Sequence, residues 1–233
     1  MTARTVAQAL ADAASALTGD SDVTDMLARL VDDARGVLGA QAVGLLLLTE
    51  SGDLELLSAT SHRAAELEIF QIQHDAGPCV DAIRAGTVVS VTGTSEIRSR
   101  WPDTGPAIVD AGYSAVHAYP LRWHGRTLGA MNVFRDDASP QQAASEDDTG
   151  QAFANIATIV IVQPGGLTRQ QVTDRVQQAL EARTVIEQAK GVLAYTRDLD
   201  MSAAYDLLRA QAADSRASLT ATAADVIARA QER

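Results

Sequence analysis

The stretch SAVHAYPLRWHGRTLGAMNVFR (114–135) decides the fold of the N-terminal part of this chain. Two runs rich in apolar, β-branched and aromatic residues lie on either side of the turn His124-Gly125. Apolar runs of this kind, joined by a Gly-containing turn, predict an antiparallel hairpin. A second unit of the same kind lies upstream, where AVGLLLLT (42–49) and LELLSAT (54–60) flank the turn Ser51-Gly52-Asp53. The sequence therefore predicts a sheet of mainly antiparallel strands.

Helical patterns surround the two hairpins, because apolar residues recur there every three or four positions. The sequence predicts a brief strand at 87–91, a loop-rich segment at 93–113, and helices at about 6–17, 22–38, 62–73, after Gly77-Pro78, and at 150–162. No strand-like segment follows Pro164-Gly165-Gly166. We therefore predict an α+β domain over 1–163, a linker at 164–166, and an all-α domain over 167–233.

The net charge of −11 is unevenly distributed over the 233 residues. Residues 165–233 hold nine basic and nine acidic side chains, so the whole −11 belongs to residues 1–164. Phosphate contacts need cationic side chains, so the acidic first domain is a poor surface for RNA or an anionic membrane. The neutral second domain remains open to a nucleic-acid partner.

The composition also excludes several classes of protein. A single cysteine, Cys79, excludes an intrachain disulfide and favours a reducing, cytoplasmic setting. The chain has no run of 18 apolar residues and no signal-peptide pattern, so we expect no membrane contact. The four histidines are not spaced as metal ligands, and we expect neither a metal site nor catalysis.

A cationic stripe runs along the predicted helix after residue 167. Arg183, Lys190 and Arg197 are seven residues apart, which places them on one side of a helix. Lys190 is the only lysine in the chain. The neighbouring Gly191 lowers helix stability by about 1 kcal/mol relative to Ala, which predicts a close helix contact or backbone approach there.

The same residues carry a family resemblance. The stretch Leu180-x-x-Arg183-x-x-Ile186-x-x-Ala189-Lys190-Gly191-x-Leu193 is followed by Ala204-Tyr205-x-x-Leu208-Arg209 and by Leu219-x-x-Thr222-Ala223-x-x-Val226-Ile227. Over about 172–228, this order and spacing resemble the ANTAR domain. The resemblance implies a three-helix RNA-binding module that binds paired stem-loops in leader transcripts and acts as a transcription antiterminator.

The resemblance and the residue chemistry together give a predicted RNA-binding set. Cations would contact phosphates, Gln and Arg would hydrogen-bond unstacked bases, and tyrosines would stack on them. The set consists of Arg183, Gln188, Lys190, Gly191, Tyr195, Arg197, Tyr205 and Arg209. Two acidic residues between the first two helices, Asp198 and Asp200, depart from the expected pattern and would repel phosphate if they faced it.

The first domain resembles a GAF domain in its order of helices and hairpins, in Gly77-Pro78-Cys79, and in GRTLGAMNVF (125–134). The resemblance implies a PAS-like α+β sensor, with an antiparallel sheet and flanking helices, whose cofactor or ligand stays open. Its candidate pocket residues are His74, Cys79, Trp101 and His117. A helix N-terminus after Gly77-Pro78 would lower the pKa of the Cys79 thiol, which leaves a redox sensor as one interpretation and a buried structural cysteine as another.

These inferences predict a cytoplasmic bacterial regulator of transcription antitermination. Its GAF domain would sense a small molecule or mediate homodimerisation, and two ANTAR modules in one dimer would suit paired stem-loops. Three alternatives remain open: a dimeric interaction module that binds no RNA, a sensor based on Cys79, and a DNA-binding helix-turn-helix.

Overall fold

The computed structural model describes residues 5, 7–8, 11–12, 23–49, 51–136, 143–162, 169–215 and 217–231. The predicted linker at 164–166 and most of the predicted first helix lie outside these ranges. The division of the chain at that linker stays a prediction.

One antiparallel sheet of five strands forms the centre of the N-terminal region. Its strands lie in the order β2-β1-β5-β4-β3. Their bounds are β1 Ala42–Leu48, β2 Leu54–Ala59, β3 Val89–Thr92, β4 Ala115–Trp123 and β5 Arg126–Arg135. Both predicted hairpins are present, as β1–β2 and β4–β5. His124 and Gly125 adopt φ values of 48° and 76°, the left-handed geometry that a two-residue hairpin turn requires.

Two helices cover one face of this sheet. They are α1 (Val23–Val37) and α6 (Ala143–Val162), and their apolar sides pack on alternate residues of β1, β4 and β5, such as Leu45, Tyr119 and Val133. The α1 helix ends before Gly39, whose φ of 60° suits a left-handed cap. The α6 helix begins seven residues before the predicted start at 150.

Four helices cover the opposite face: α2 (His62–His74), α3 (Pro78–Ala85), α4 (Thr94–Arg100) and α5 (Gly105–Asp110). The last two correct the expectation of a loop-rich segment at 93–113. They form because Ile97, Trp101 and Ile108 bury against the sheet, which supplies the packing energy that a polar sequence of this length lacks alone.

The C-terminal region is helical throughout its described residues, with α7 (Arg169–Arg197), α8 (Met201–Ser215) and α9 (Leu219–Gln231). A small core of Ile186, Ala189, Leu193, Leu208 and Ala223 joins the three helices. Earlier on α7, Ala179 and Leu180 pack into the α1–α6 core, so one helix belongs to both regions. None of the described helices is long and apolar enough to cross a membrane.

Candidate nucleic-acid interface

The C-terminal bundle packs directly on the N-terminal region. Helices α7 and α9 contact α1, α7 also contacts β2, and α8 contacts α2. We call this contact the domain seam. The residues whose side-chain or backbone polar groups lie there are, on the N-terminal side, Asp25, Asp32, Ala59, Thr60 and His62. On the bundle side they are Arg183, Glu187, Lys190, Tyr205, Arg209 and Leu219. Four of the eight predicted RNA-binding residues therefore lie at an internal contact.

Lys190 is the most deeply covered of these four residues. It is 1% exposed, although it is the only lysine of the chain. Its Nζ donates to Glu187 Oε2 at 2.7 Å and lies 3.4 Å from His62 Nδ1 across the seam. The carboxylate of Glu187 and the ring of Tyr205, whose centroid is 5.1 Å from Nζ, compensate the buried ammonium.

Arg209 and Tyr205 on α8 reach the end of β2. The Tyr205 hydroxyl donates to the carbonyl of Ala59 at 3.2 Å, and Arg209 Nη1 donates to the carbonyl of Thr60 at 3.4 Å. Arg209 Nη2 also forms an ion pair with the carboxylate of Asp32. Burial raises the pKa of the Tyr205 phenol, although Arg209 opposes that shift.

Arg183 lies seven residues before Lys190 on α7. Its Nη2 donates to Glu187 Oε1 at 3.0 Å, and its side chain is 15% exposed. Burial lowers the pKa of its guanidinium, and Glu187 counteracts the burial. Two of the three cations in the stripe predicted from sequence, Arg183 and Lys190, are thus paired with one glutamate and covered by the N-terminal region.

The start of α9 meets the first helix of the sheet domain. The backbone N–H of Leu219 donates to Asp25 Oδ1 at 2.9 Å. The first N–H groups of a helix have no partner within it, and they carry the positive end of the helix dipole. The Asp25 carboxylate therefore occupies the N-terminus of α9, which is a position where a helix binds anions.

The other four predicted residues lie on surfaces open to solvent. Gln188, Gly191, Tyr195 and Arg197 are all exposed, and Tyr195 is 91% exposed. A Cβ atom on Gly191 would meet nothing within 4 Å. The expectation that Gly191 serves a close helix contact is therefore wrong within this chain, because its α carbon faces solvent.

The two acidic residues that departed from the family pattern have local structural roles. Asp198 takes the left-handed conformation, with φ 51°, just after α7 ends. Asp200 Oδ1 accepts the backbone N–H of Ala203 at 2.8 Å and so caps α8. Both side chains are exposed, so their effect on a bound phosphate stays a prediction.

The four residues predicted to line a ligand pocket do not come together. Cys79 and Trp101 are buried between the sheet and α2–α5. His117 points to the opposite face, where its Nδ1 lies 3.0 Å from Ser90 Oγ and 3.4 Å from Asp147 Oδ1. His74 is exposed, and its Nδ1 lies 2.9 Å from the carbonyl of Phe70. They fail to form one pocket because the sheet separates His117 from Cys79, while His74 faces solvent.

Cys79 does lie at a helix N-terminus, as the second residue of α3. The expected lowering of its pKa is nonetheless wrong. Its exposure is 0%, and burial raises the pKa of the thiol, helped by the charge of Glu68. In that environment the thiolate, which is the reactive species, is disfavoured.

A buried polar cluster lies beside Cys79. Glu68 is 0% exposed; Asn132 Nδ2 donates to its two carboxyl oxygens at 2.9 and 2.7 Å, and Gln71 Nε2 donates at 3.0 Å. Gly44 makes room for it, since a Cβ there would lie 2.2 Å from Glu68 Oε1. Burial raises the pKa of Glu68 from 4.5 to about 8, and the Asn132 hydrogen bond partly opposes that rise. Glu68 is therefore held mainly as a neutral acid at pH 7.

One larger cleft opens at the opposite ends of β2 and α2 from the seam. It has a volume of about 520 Å³. Leu54, Ile72 and Ile83 are among its apolar lining residues, and Asp53 and the Asp75–Arg84 ion pair also line it. Within the described ranges no group of three or more His, Cys, Asp or Glu side chains is placed to hold a metal ion.

Sequence reasoning missed the N-terminal half of the seam and the Glu68 cluster. In the sequence, Asp25 and Asp32 have the positions of ordinary surface residues on an amphipathic helix. No local pattern indicates their partners, which lie far away in the chain. Glu68 had a detectable signal, because Gly44 and Asn132 interrupt two otherwise apolar strands. A glycine and an amide at such positions indicate a buried polar side chain from a covering helix.

Comparison with known proteins assigns each of the two regions to a domain family. The family model of the GAF domain matches residues 20–162, and that of the ANTAR domain matches residues 174–227. No curated protein matches this sequence.

Solved GAF domains share the fold of the first region. One is from a phosphoenolpyruvate-protein phosphotransferase of Coxiella burnetii, with TM-score 0.54 and 13% identity, covering 70% of this chain and 95% of that one. Another is the Nlh2 GAF domain of A. aeolicus in an inactive state, with TM-score 0.52 and 14% identity over 67% of this chain and 95% of that one. At these identities the likeness shows the fold alone. The GAF match spans more than half of the residues, and so the chain belongs to the GAF domain family and carries an ANTAR domain after it.

Proposed function

We propose that this chain is an RNA-binding regulator of transcription antitermination. Its ANTAR domain binds stem-loops in nascent leader RNA, and its GAF domain receives the input or mediates homodimerisation. The observation that carries the proposal is the convergence of two cations on one aromatic ring: Lys190 Nζ and Arg209 Cζ lie 5.1 and 5.9 Å from the ring centroid of Tyr205.

This convergence joins residues from two helices into one chemical surface. Guanidinium and ammonium groups contact phosphates, and a tyrosine ring accepts an unstacked base. On the opposite, open side of α7, Gln188 and the 91% exposed Tyr195 offer a separate hydrogen-bonding amide and a second stacking ring. Such a surface suits the single-stranded loops of hairpins, where bases are already splayed out.

The charge balance sets the expected strength of binding. The region after residue 164 is neutral overall, so few phosphates are contacted and the affinity is modest and sensitive to salt. A homodimer with two ANTAR modules raises the effective concentration of the second module once the first has bound a hairpin. A small-molecule input fits the 520 Å³ cleft better than the four residues first predicted, because that volume lies in the range of ligand sites.

Crosslinking and sequencing of bound RNA in cells supplies the probe for a direct test. The most enriched hairpin pair is then used in filter binding with the full-length chain and its Arg183→Glu and Lys190→Glu variants. Arg229→Glu is the matched control, because Arg229 is an exposed cation of α9 with a side chain 75% exposed. We expect both seam variants to lose retention and the control to keep it.

Three outcomes contradict the proposal. One is recovery of no hairpin-containing leaders from cells. Another is equal retention of RNA by the two seam variants and the control. The third is a salt-dependent preference for duplex DNA over the hairpins, which favours a helix-turn-helix DNA-binding function.

A second candidate function is a regulatory interaction module that binds no RNA. The observation in its favour is the burial of Lys190 and the use of Arg209 in a contact within the chain. Sedimentation analysis together with the filter assay separates the two functions. If the wild type and all of these variants form dimers but retain no RNA, the chain is an interaction module and not an RNA-binding protein.

A further inference from the structure

In the hydrogen bonds across the seam, the helical bundle supplies the donors and the GAF domain supplies the acceptors. Three donors of the bundle, Tyr205 Oη, Arg209 Nη1 and the N–H of Leu219, donate to the carbonyl of Ala59, the carbonyl of Thr60 and the carboxylate of Asp25. Arg209 also pairs with the carboxylate of Asp32. In these four contacts the acceptor on the GAF side is a carboxylate or carbonyl oxygen, and the ring nitrogen of His62 lies 3.4 Å from Lys190 Nζ as a further polar contact.

These oxygens resemble the chemistry of an RNA backbone. Phosphate groups present only acceptors, and they bind to Arg, Lys, Tyr and helix N-termini. The GAF domain thus offers carboxylates to Arg209 and to the start of α9, and it covers Lys190 to 1% exposure. A hairpin loop would present phosphate oxygens to the same donors.

We propose that the GAF domain and RNA compete for this one surface, so that the structure is the closed form of the protein and RNA binds only when the seam opens. The inference rests on the proposed RNA-binding function. It adds that Asp25, Asp32 and the β2–α2 junction are the intramolecular competitor. The apparent RNA affinity then equals the affinity of the open form multiplied by the fraction of open molecules.

The seam has the physical features of a separable contact. Asp32 Oδ1 is buried with no hydrogen-bond partner among the described atoms, and burial raises the pKa of this carboxyl more than Arg209 lowers it. A cavity of about 20 Å³, enough for one water, remains between His62 and Ala65 on one side and Lys190 and Tyr205 on the other. An unsatisfied carboxylate oxygen regains water on opening, which offsets part of the lost contacts.

Charge reversal on the GAF side tests the competition without touching the ANTAR domain. Asp32→Arg places a second guanidinium against Arg209 and opens the seam. The control is Asp103→Arg, which makes the same charge change at an exposed residue of the α4–α5 connection. RNA affinity is measured by filter binding of full-length proteins to the hairpin pair defined above, and circular dichroism checks that each variant is folded.

We expect Asp32→Arg to bind at least about fivefold more tightly than Asp103→Arg, since a typical coupling between sites is of that size or larger. Equal binding by the two variants overturns the competition while leaving the RNA-binding function intact. If no form of the protein, including Asp32→Arg, retains RNA, the proposed function itself fails.

A reversible lock gives a second measurement that does not depend on a charge change. The double variant Asp25→Cys/Leu219→Cys places one thiol on each side of the contact in which the Leu219 N–H donates to Asp25 Oδ1 at 2.9 Å. Native Cys79 is 0% exposed and stays out of the reaction. We expect the disulfide to form without RNA, RNA binding to fall at least about tenfold when oxidised, and reduction to restore it. A failure to form the disulfide, or equal binding when oxidised and reduced, overturns the proposal.

Discussion

Two buried polar clusters of this molecule differ in what can expose them. The seam cluster around Lys190 and Arg209 lies between the GAF domain and the helical bundle, and the proposed opening of the seam would bring it to solvent. The cluster around Glu68 and Asn132 lies inside the GAF domain, and only unfolding exposes it. Charges of similar burial therefore have different expected roles: under the proposed competition the seam controls access to RNA, and the core cluster affects the stability of the fold.

The largest expected effect concerns the core cluster. Glu68 has a folded-state pKa of about 8 against 4.5 when unperturbed, so the folded chain keeps a proton that the unfolded chain releases. Stability from Glu68 is fully present below pH 4.5 and is lost as the pH rises to about 8, by on the order of 4 kcal/mol. Glu68→Gln, which is neutral at every pH, removes this loss.

Urea unfolding of wild type and Glu68→Gln between pH 5 and 8 measures the difference. We expect the variant to gain stability over wild type steadily as the pH rises, while its RNA affinity stays unchanged. A constant difference in unfolding free energy across this range would mean that Glu68 is already ionised in the folded protein. A change in RNA affinity would break the distinction between the two clusters.

The next effect concerns the seam cluster. Lys190→Met removes the ammonium but keeps an unbranched apolar side chain at a site that is 1% exposed. Loss of one charge-assisted contact lowers RNA affinity about tenfold or more. Arg229→Met is the control for overall charge, and filter binding is the measurement. Equal affinity of the two variants would remove Lys190 from the RNA-binding surface.

A smaller effect separates the two tyrosines of the predicted RNA-binding set. Tyr205→Phe keeps the stacking ring but loses the hydrogen bond to the carbonyl of Ala59, so the closed form weakens by about 1 kcal/mol. We expect RNA affinity to rise about fivefold at most. Tyr195→Phe makes the same change at a side chain that is 91% exposed, away from the seam, and leaves affinity unchanged. A fall in affinity for Tyr205→Phe alone would show that its hydroxyl contacts RNA and not the GAF domain.

The smallest expected effect is at Cys79. Because burial raises the pKa of its thiol, a thiol reagent modifies it only through transient opening of the domain. Cys79→Ser is expected to leave RNA affinity and its response to oxidant unchanged. Rapid labelling of the folded protein, or an oxidant response that the serine variant loses, would revive the thiol-sensor interpretation.

The sequence predicts much of this fold because local patterns encode it. Alternating apolar runs around Ser51-Gly52-Asp53 and His124-Gly125 predict both hairpins, and the apolar spacing around Leu193 predicts a helix. The helices at 94–100 and 105–110 escape prediction because burial of a few side chains, not propensity, stabilises them.

The candidate site is only half predictable for the same reason. Arg183, Lys190, Tyr205 and Arg209 follow from spacing and resemblance, since they are close in sequence. Their partners lie far away in the chain: 128 residues separate Lys190 from His62, and 177 separate Arg209 from Asp32. A contact of that kind depends on how two folded domains meet, which no local pattern encodes.

The distance between the two domains tests the central claim most directly. Spin labels at Asp103→Cys and Arg229→Cys, one on each domain, measure this distance in the full-length chain by pulsed electron paramagnetic resonance. Native Cys79 is buried and therefore is not labelled. We predict one narrow distribution of distances without RNA and a second, longer population that grows as the hairpin pair is added. RNA that binds while the RNA-free distribution stays unchanged would contradict the competition between GAF domain and RNA.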